Sequence, residues 1–128
     1  MHIRKTLVTL SLACVAGLSL AAEPRVFSQP EFDRLAHEGK PVIVDVAATW
    51  CPTCKAQKPI VDGLTRQGAY KDVAVLTVDF DADKPVLKAF RVGTQSTLIA
   101  FKGGKEAGRS VGDTSPTGIE ALFRKAIN

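Results

Sequence analysis

The chain has 128 residues, which is enough for one folded domain and too few for two. Hydrophobic residues make up 45% and charged residues 23%, and no segment is of low complexity, which is ordinary for a globular protein. The net charge of +4 comes from Lys and Arg residues that are interleaved with Asp and Glu and lack the aromatic spacing of a nucleic-acid groove. These counts predict one globular domain without a nucleic-acid partner.

The first residues have the three-part layout of a secretory signal peptide. Two basic residues near the start precede an apolar run at residues 7–20, and small residues follow it. This layout predicts cleavage after Ala21 or Ala22. We therefore divide the chain into a signal peptide at residues 1–21 and one domain at residues 22–128, and we expect the protein in the periplasm or secreted.

Two alternatives for this segment stay open. An uncleaved apolar run would anchor the protein in a membrane, although residues 7–20 are short for a span and include serines, a threonine and a glycine. Cleavage before Cys14 would make a lipoprotein, although the usual leucine three residues before that cysteine is missing. Removal of the signal also removes Arg4 and Lys5, so that the net charge falls to +2.

Beyond the signal, helical and strand patterns alternate along the chain. In order, they predict a helix in FSQPEFDRLAHEGKP, a strand in PVIVDVAA, a helix in CKAQKPIVDGLTRQGA, a strand in DVAVLTVDFD, a helix in KPVLKAFRV, two strands in STLIAFKGGKEAGRSVG and a helix in SPTGIEALFRKAIN. The first strand is a near-continuous apolar run, which is typical of a strand covered on both faces. The alternation predicts an α/β fold with a central mixed β-sheet flanked by helices on both faces.

Local signals mark the ends and faces of these helices. Ser28 and Glu31 form a capping box at the start of the first helix, and Ser115 is the cap signal of the last one. Pro59 interrupts the second helix and is expected to kink it. The predicted apolar face of the last helix consists of Ile119, Leu122, Phe123 and Ile127.

The cysteine pair in ATWCPTCKAQKP carries the chemistry. Once Cys14 leaves with the signal, Cys51 and Cys54 are the only thiols of the mature chain. A disulfide that closes so short a loop contributes little stability, which disfavours a structural cross-link. Zinc takes three or four protein ligands, and beyond this pair the mature chain offers only His37 and carboxylates. We therefore assign no metal ligand.

The position of the pair fits thiol–disulfide exchange. Cys51 follows a predicted buried strand at the start of the next helix, where main-chain N–H groups favour a thiolate. Cys54 lies one turn further along and is predicted to be the more protected of the two. It can attack a mixed disulfide at Cys51 and release the reduced partner. The pair would then be a redox-active disulfide that needs no other cofactor.

These features together resemble the thioredoxin family, and the resemblance covers nearly all of the mature chain. The segment WCPTCK matches the family's Trp-Cys-x-x-Cys-Lys centre, and Pro59 lies where the family has its helix-kinking proline. The final hairpin and the order of elements also agree. The resemblance implies a thioredoxin fold and a protein-disulfide oxidoreductase whose catalytic residues are Cys51 and Cys54.

Asp45 is a third candidate catalytic residue. It lies inside the apolar strand VIVDVAA, where an unpaired charge is costly, so we expect a raised pKa and a role in proton handling. The resemblance supports this role, because Asp45 precedes Cys51 by six residues and matches the family's buried acid, which assists proton transfer at the inner cysteine. Thr77 stands where thioredoxins tend to place a lysine near this acid, which predicts a different tuning.

The remaining predicted site residues concern substrate contact and tuning. Trp50 is expected to shield the thiols while keeping one edge in water. Gly112 resembles a glycine that lies near the family's substrate groove. The full group assigned to substrate contact or tuning is Trp50, Pro52, Thr53, Gln95, Ser96, Thr97 and Gly112.

Ser96 is the main departure from the family pattern. The family has a cis-proline at this position, facing the cysteines, and the residue before it pairs with an extended substrate peptide. A cis Gln95–Ser96 bond would cost about 3–4 kcal/mol, so the loop either relaxes or retains a strained bond. In the family the proline ring also helps to keep metals off the thiols. Its loss leaves an iron–sulfur cluster shared between two chains as an alternative.

The direction of electron flow is predicted to be reductive. Strong exported oxidants of this superfamily carry a histidine between the cysteines and a large helical insertion, whereas this chain has Pro52-Thr53 and no room for the insertion. Uncharged residues between the cysteines argue against a very oxidising couple. The expected partners are oxidised protein substrates and a membrane thiol transporter that donates electrons, and the protein is expected to be a monomer. A disulfide oxidant or isomerase stays the alternative.

Overall fold

The computed structural model describes residues 23–128 of the chain. The expectations for a signal peptide, a membrane anchor and a lipoprotein Cys14 fall on residues outside this range. Among the helices that it describes, none is long and apolar enough to cross a membrane.

Strands and helices alternate along the described part of the chain. The strands are β1 Arg25–Val26, β2 Pro41–Ala47, β3 Ala74–Asp79, β4 Thr97–Lys102 and β5 Lys105–Val111. The helices are α1 Gln29–His37, α2 Pro52–Thr65, α3 Lys84–Phe90 and α4 Pro116–Ile127, with a 3₁₀ turn at Gly68–Tyr70. This order confirms the predicted succession and adds β1 and the 3₁₀ turn. Strand β1 was not predicted because two exposed residues are too few to show a periodic pattern.

The strands form one mixed sheet in the order β1-β3-β2-β4-β5. Strands β1, β3 and β2 are parallel, whereas β4 is antiparallel to β2 and β5 is antiparallel to β4. Parallel neighbours need a crossover connection, which α2 provides between β2 and β3. The predicted mixed sheet with helices on both faces is confirmed.

Alternate residues of β2 point to opposite faces of the sheet and divide the core in two. Val42, Val44 and Val46 pack with residues of α1 and α3. Ile43 packs with residues of α2 and α4. Asp45 is two residues from Ile43 on the same strand and therefore lies on the same face, which α2 covers. The strand register thus places an acid beneath the helix that carries the cysteines.

The helix starts follow the capping signals. The Ser28 hydroxyl oxygen accepts a hydrogen bond from the Glu31 main-chain N–H at 3.3 Å. The Ser115 hydroxyl oxygen accepts one from the Gly118 main-chain N–H at 3.2 Å. Both predicted caps are confirmed, and Pro59 lies inside α2.

Two details of the helices differ from the prediction. Helix α2 ends at Thr65 rather than Ala69, because the next residues turn to bring Tyr70 into the core. The Tyr70 ring packs edge-on against Phe123, with ring centroids 5.6 Å apart. On α4, the prediction that Ile127 belongs to the apolar face is wrong, since Ile127 is 38% exposed and Ala126 is buried instead. The buried stripe follows the i, i+3, i+4, i+7 spacing, and Ile127 falls at its edge.

Candidate active site

Cys51 lies between β2 and α2 and caps the helix with its own sulfur. Its backbone is extended, and Pro52 begins the helix with the fixed φ that suits a first helical turn. The Cys51 Sγ accepts a hydrogen bond from the Cys54 main-chain N–H at 3.1 Å. A sulfur at this place faces the positive end of a 14-residue helix, which favours the thiolate over the thiol.

The two cysteines form a disulfide, with their Cα atoms 5.3 Å apart. Cys51 is 1% exposed and Cys54 is 8% exposed. The prediction that Cys54 is the more protected residue is therefore wrong for this oxidised state. Both cysteines pack in a small apolar cluster with Ala48 and contact Ser96, but Cys54 also lines a cavity beside the disulfide, whereas Cys51 does not.

Ser96 contacts the disulfide from the loop before β4. Its Oγ lies 3.1 Å from the Cys51 Sγ and 3.2 Å from the Cys54 Sγ. No peptide bond within residues 23–128 is cis, so of the two outcomes expected for Gln95–Ser96 the loop shows the relaxed one. Ser96 instead has a φ of 61°, in the left-handed region that side-chain-bearing residues rarely occupy. Ser96 thus places a hydroxyl against the redox pair.

Three hydrogen bonds hold the Ser96 backbone in this conformation. Its N–H donates to the Val46 carbonyl at 2.8 Å, and its carbonyl accepts from the Gly112 N–H at 3.0 Å and the Gln57 Nε2 at 3.3 Å. Gln57 is 1% exposed, and its Nε2 also donates to the Asp113 carbonyl at 2.8 Å. Gln57 therefore ties α2 to the loop before β4 and to the loop after β5.

Sequence reasoning did not identify Gln57, although a signal was present. Buried residues recur along α2 at Cys54, Gln57, Val61 and Leu64, which is the spacing of one helix face. A polar amide at an apolar position of such a face has to find hydrogen bonds, because buried polar groups are almost always paired. This requirement marks Gln57 as a residue with a partner on a neighbouring element.

Asp45 lies on a cavity of about 430 Å³ that Cys54 also lines. Burial raises the pKa of the Asp45 carboxyl to about 6, while the charge of Lys58 acts to lower this pKa and that of Asp62 to raise it. Lys58, Asp62 and Thr77 line the same cavity. A carboxyl group with such a pKa exchanges its proton close to neutral pH, which is the property of a general acid or base.

Lys58 supplies a positive charge near Asp45 that Thr77 cannot supply. Thr77 lies beside Asp45 on β3, and its hydroxyl donates to the Arg25 carbonyl at 3.1 Å. Lys58 reaches the cavity from α2 and forms an ion pair with Asp62 at 2.7 Å. Sequence reasoning noted the threonine but missed Lys58, because the closeness of α2 to the middle of β2 appears only once the chain is folded.

The other predicted site residues lie on the loops and helix around the disulfide. Trp50 is exposed, and its indole N–H donates to the Asp81 carboxylate at 2.7 Å, which holds the ring in one orientation. Thr97 is buried, and its hydroxyl donates to the Thr94 carbonyl at 2.8 Å. Of the rest, Pro52 and Gly112 are exposed, and Thr53 and Gln95 are half-buried.

Uncharged groups make the hydrogen bonds to the two sulfurs. Within the described residues, their hydrogen-bond partners are the Ser96 hydroxyl and the Cys54 main-chain N–H. In the same part of the chain, no group of three or more His, Cys, Asp or Glu side chains is placed to hold a metal ion. The arrangement is suited to thiol–disulfide exchange, with the cysteine pair itself as the electron carrier.

Comparison with known proteins identifies the family. The family model for thioredoxin matches residues 23–125. Thioredoxin-2 of Saccharomyces cerevisiae is 39% identical over 101 residues, which cover 78% of this chain and 94% of the yeast protein. Thioredoxin H2-1 of Oryza sativa is 37% identical over 91 residues, which cover 68% of this chain and 64% of the rice protein.

A solved structure agrees with the sequence relatives. The crystal structure of Trxlp from Edwardsiella tarda matches with a TM-score of 0.76 and 42% identity, covering 78% of this chain and 98% of that one. The fold and the Cys51–Cys54 pair define a protein-disulfide oxidoreductase. The chain belongs to the thioredoxin family.

Proposed function

We propose that the protein is an exported thioredoxin that reduces disulfides in oxidised partner proteins through Cys51 and Cys54. The observation that carries this proposal is the cavity that Asp45 and Cys54 line together, with the pKa of Asp45 raised to about 6. In each reductive cycle the second cysteine has to lose a proton before it attacks. A carboxylate on the same cavity is a suitable acceptor for that proton.

The proposed cycle uses each sulfur once as a nucleophile. The Cys51 thiolate attacks one sulfur of the partner's disulfide, forms a mixed disulfide and releases the other sulfur as a thiolate, which takes up a proton. Cys54 then loses its proton toward Asp45, attacks the Cys51 sulfur and releases the partner's second thiolate. The protein ends as the Cys51–Cys54 disulfide and the partner as a dithiol, so that two electrons have moved.

The surroundings of the sulfurs support the reductive direction. A strong oxidant needs a reduced form that its environment strongly stabilises. Here the hydrogen-bond donors to the sulfurs within the described residues are uncharged, and Pro52 and Thr53 between the cysteines add no charge. The two sequence relatives compared above are named thioredoxins. We therefore place this couple with the reductants.

We assign partner binding to the surface around the disulfide. The main-chain N–H and C=O of Gln95 have no hydrogen-bond partner within residues 23–128, which leaves them able to pair with an extended peptide. Trp50 adjoins Cys51 in the chain, Gly112 bonds to the loop at Ser96, and both are exposed. They extend the proposed contact surface, and the residues proposed to shape its remainder are Pro52, Thr53 and Thr97.

The reductive direction predicts the reduction potential of the Cys51–Cys54 couple. In equilibrium with glutathione buffers, we expect a value near about −270 mV, as is typical of thioredoxins, and far from the about −120 mV of a strong oxidant. The fractions of dithiol and disulfide are measured by acid quenching, alkylation and mass spectrometry. A value close to that of strong oxidants would overturn the proposed direction and favour a disulfide oxidant or isomerase.

Export and the electron donor complete the proposal. The signal-like segment at residues 1–21 supports a periplasmic or secreted location, with a membrane anchor as the alternative. Such compartments are oxidising, so a reductase working there needs a source of electrons from across the membrane, and we propose a membrane thiol transporter as the donor. One chain carries both sulfurs, which supports action as a monomer.

Export predicts a specific N-terminus. When the full chain is expressed in a Gram-negative host, we expect it in the periplasmic fraction, beginning at Ala22 or Glu23 by N-terminal sequencing. Leu10→Arg, which places a charge inside the apolar run, should keep the protein in the cytoplasm. Recovery of an intact N-terminus in the membrane fraction would support the anchor instead, and wild-type protein in the cytoplasm would overturn export.

A further inference from the structure

We propose that Ser96 is a catalytic residue that donates its hydroxyl hydrogen to the Cys51 sulfur and so holds it as a thiolate, and that Gln57 is the positioning residue that fixes Ser96 there. The proposal rests on the exchange chemistry of the cysteine pair. It applies to either direction of electron flow.

The Ser96 hydroxyl is the hydrogen donor in this contact. Both cysteines are in a disulfide and carry no S–H hydrogen, so the hydrogen shared between the Ser96 Oγ and the sulfurs belongs to the serine. Within the described residues, the two sulfurs are the hydrogen-bond partners of this hydroxyl. Ser96 is 4% exposed and therefore has little access to water. Its hydrogen is directed at the redox pair.

This hydrogen bond strengthens when the disulfide opens. A disulfide sulfur is a weak acceptor, whereas a thiolate is charged, and hydrogen bonds to charged groups are roughly twice as strong as neutral ones. The Cys51 Sγ already accepts the Cys54 main-chain N–H at 3.1 Å, so the Ser96 hydroxyl gives the thiolate a second donor. The hydroxyl therefore stabilises the dithiol form more than the disulfide form, and it increases the ionised fraction of Cys51 at neutral pH.

The Ser96 backbone is held in a conformation that costs conformational energy, which indicates that the position of its side chain matters. A φ of 61° is sparsely populated for a residue with a side chain and persists only where the surroundings impose it. The three main-chain bonds to Ser96 impose it here, and one of them comes from Gln57.

The buried amide of Gln57 is itself costly. Its Oε1 is buried without a hydrogen-bond partner within the described residues, while its Nε2 bonds to Ser96 and Asp113. An apolar side chain of similar size would fill this space without the cost of an unpaired oxygen. The amide is therefore better explained by the two bonds that it donates than by packing.

The test compares two variants that remove the hydroxyl with one matched control. Ser96→Ala and Ser96→Gly both lack the Oγ, and glycine also accepts a positive φ without strain. A change common to both variants therefore reports the hydroxyl and not the loop backbone. Ser110→Ala makes the same substitution at a buried hydroxyl that has no partner within the described residues. Each purified protein is equilibrated with glutathione buffers, and its dithiol and disulfide fractions are measured by mass spectrometry.

We expect both Ser96 variants to shift the equilibrium with glutathione about tenfold toward the disulfide, which corresponds to about 30 mV. The thiolate absorbance of the reduced protein should also appear at higher pH, and Ser110→Ala should match the wild type. If both Ser96 variants are folded by circular dichroism and keep the wild-type equilibrium, or shift it toward the dithiol, the proposal is wrong. The direction of electron flow is tested separately, by the reduction potential of the wild type. Failure of the proposal for Ser96 and failure of the proposed function therefore give different results.

The role of Gln57 is tested by Gln57→Leu in the wild-type and in the Ser96→Ala background. If Gln57 acts through the serine hydroxyl, the substitution shifts the glutathione equilibrium toward the disulfide in the first background and leaves it unchanged in the second. A merely structural role would lower the unfolding midpoint in both backgrounds without moving the equilibrium. That result, or an equal shift in both backgrounds, would remove Gln57 from the proposal.

Discussion

Replacing Cys51 by serine should slow protein-disulfide reduction by at least about a thousandfold, because a serine hydroxyl stays protonated at neutral pH and cannot replace the thiolate as nucleophile. Cys54→Ser should behave differently. Attack by Cys51 still occurs, but the mixed disulfide accumulates because the second sulfur is missing. The rates are measured on insulin disulfides with dithiothreitol as the electron source, and the adduct is found by mass spectrometry.

These two variants serve as controls for each other, because each removes one sulfur from the same disulfide. The burial of the two residues makes the comparison informative, since Cys51 is 1% exposed and Cys54 is 8% exposed in the oxidised state. Faster adduct formation at Cys54 of the Cys51→Ser protein than at Cys51 of the Cys54→Ser protein would interchange the two roles and contradict the proposed cycle.

Asp45→Asn should raise the free energy of unfolding by about 3 kcal/mol above pH 7. The pKa of Asp45 is about 6 in the folded protein, above its ordinary value of 3.8, because burial disfavours the charged form. As the pH rises from about 4 to about 6, the unfolded chain therefore releases this proton before the folded protein does, and the wild type loses stability. Asparagine carries no charge and avoids this loss.

The measurement is urea unfolding of both proteins in the disulfide form from about pH 3 to about pH 8. The advantage of Asp45→Asn should be complete above about pH 7 and should vanish near about pH 3, below the ordinary pKa of 3.8, where the wild-type carboxyl is protonated in both states. An advantage of the same size at both ends would contradict a buried, titrating Asp45. The substitution should also slow the release of partner from the mixed disulfide, since Cys54 loses its proposed proton acceptor.

Lys58 and Lys55 provide a matched pair of controls for this titration. Both line the cavity, but the charge of Lys58 lowers the pKa of Asp45. Lys58→Met should therefore raise the pH at which the loss of stability is complete, whereas Lys55→Met should leave this pH unchanged. A shift caused by Lys55→Met and none caused by Lys58→Met would contradict Lys58 as the charge that acts on Asp45.

Much of the fold could be predicted because its signals are local. The capping residues Ser28 and Ser115 and the apolar run of β2 each act within a few residues of chain, and the structure follows them. The errors lie where packing decides. Tyr70 turns into the core and ends α2 early, and Ile127 lies at the edge of a stripe whose last buried member is Ala126.

The site was predictable in its cysteines and less so in their surroundings. The spacing of Cys51 and Cys54 at a helix start is a local signal. The contact of Ser96 with both sulfurs depends on how the loop before β4 meets α2, and no local pattern encodes that meeting. The same holds for Lys58, whose effect on Asp45 depends on the packing of α2 over β2. Such contacts between distant segments appear only in the folded chain.

The rate of alkylation at Cys51 in the reduced protein, followed against pH and resolved from Cys54 by mass spectrometry, tests most directly whether this sulfur is held as the attacking thiolate. We predict that Cys51 reacts rapidly at neutral pH, that its rate levels off well below the pH of about 8.5 at which an ordinary cysteine ionises, and that Cys54 reacts far more slowly. A Cys51 that reacts no faster than a free thiol, with a rate that still rises through this pH, would contradict the account.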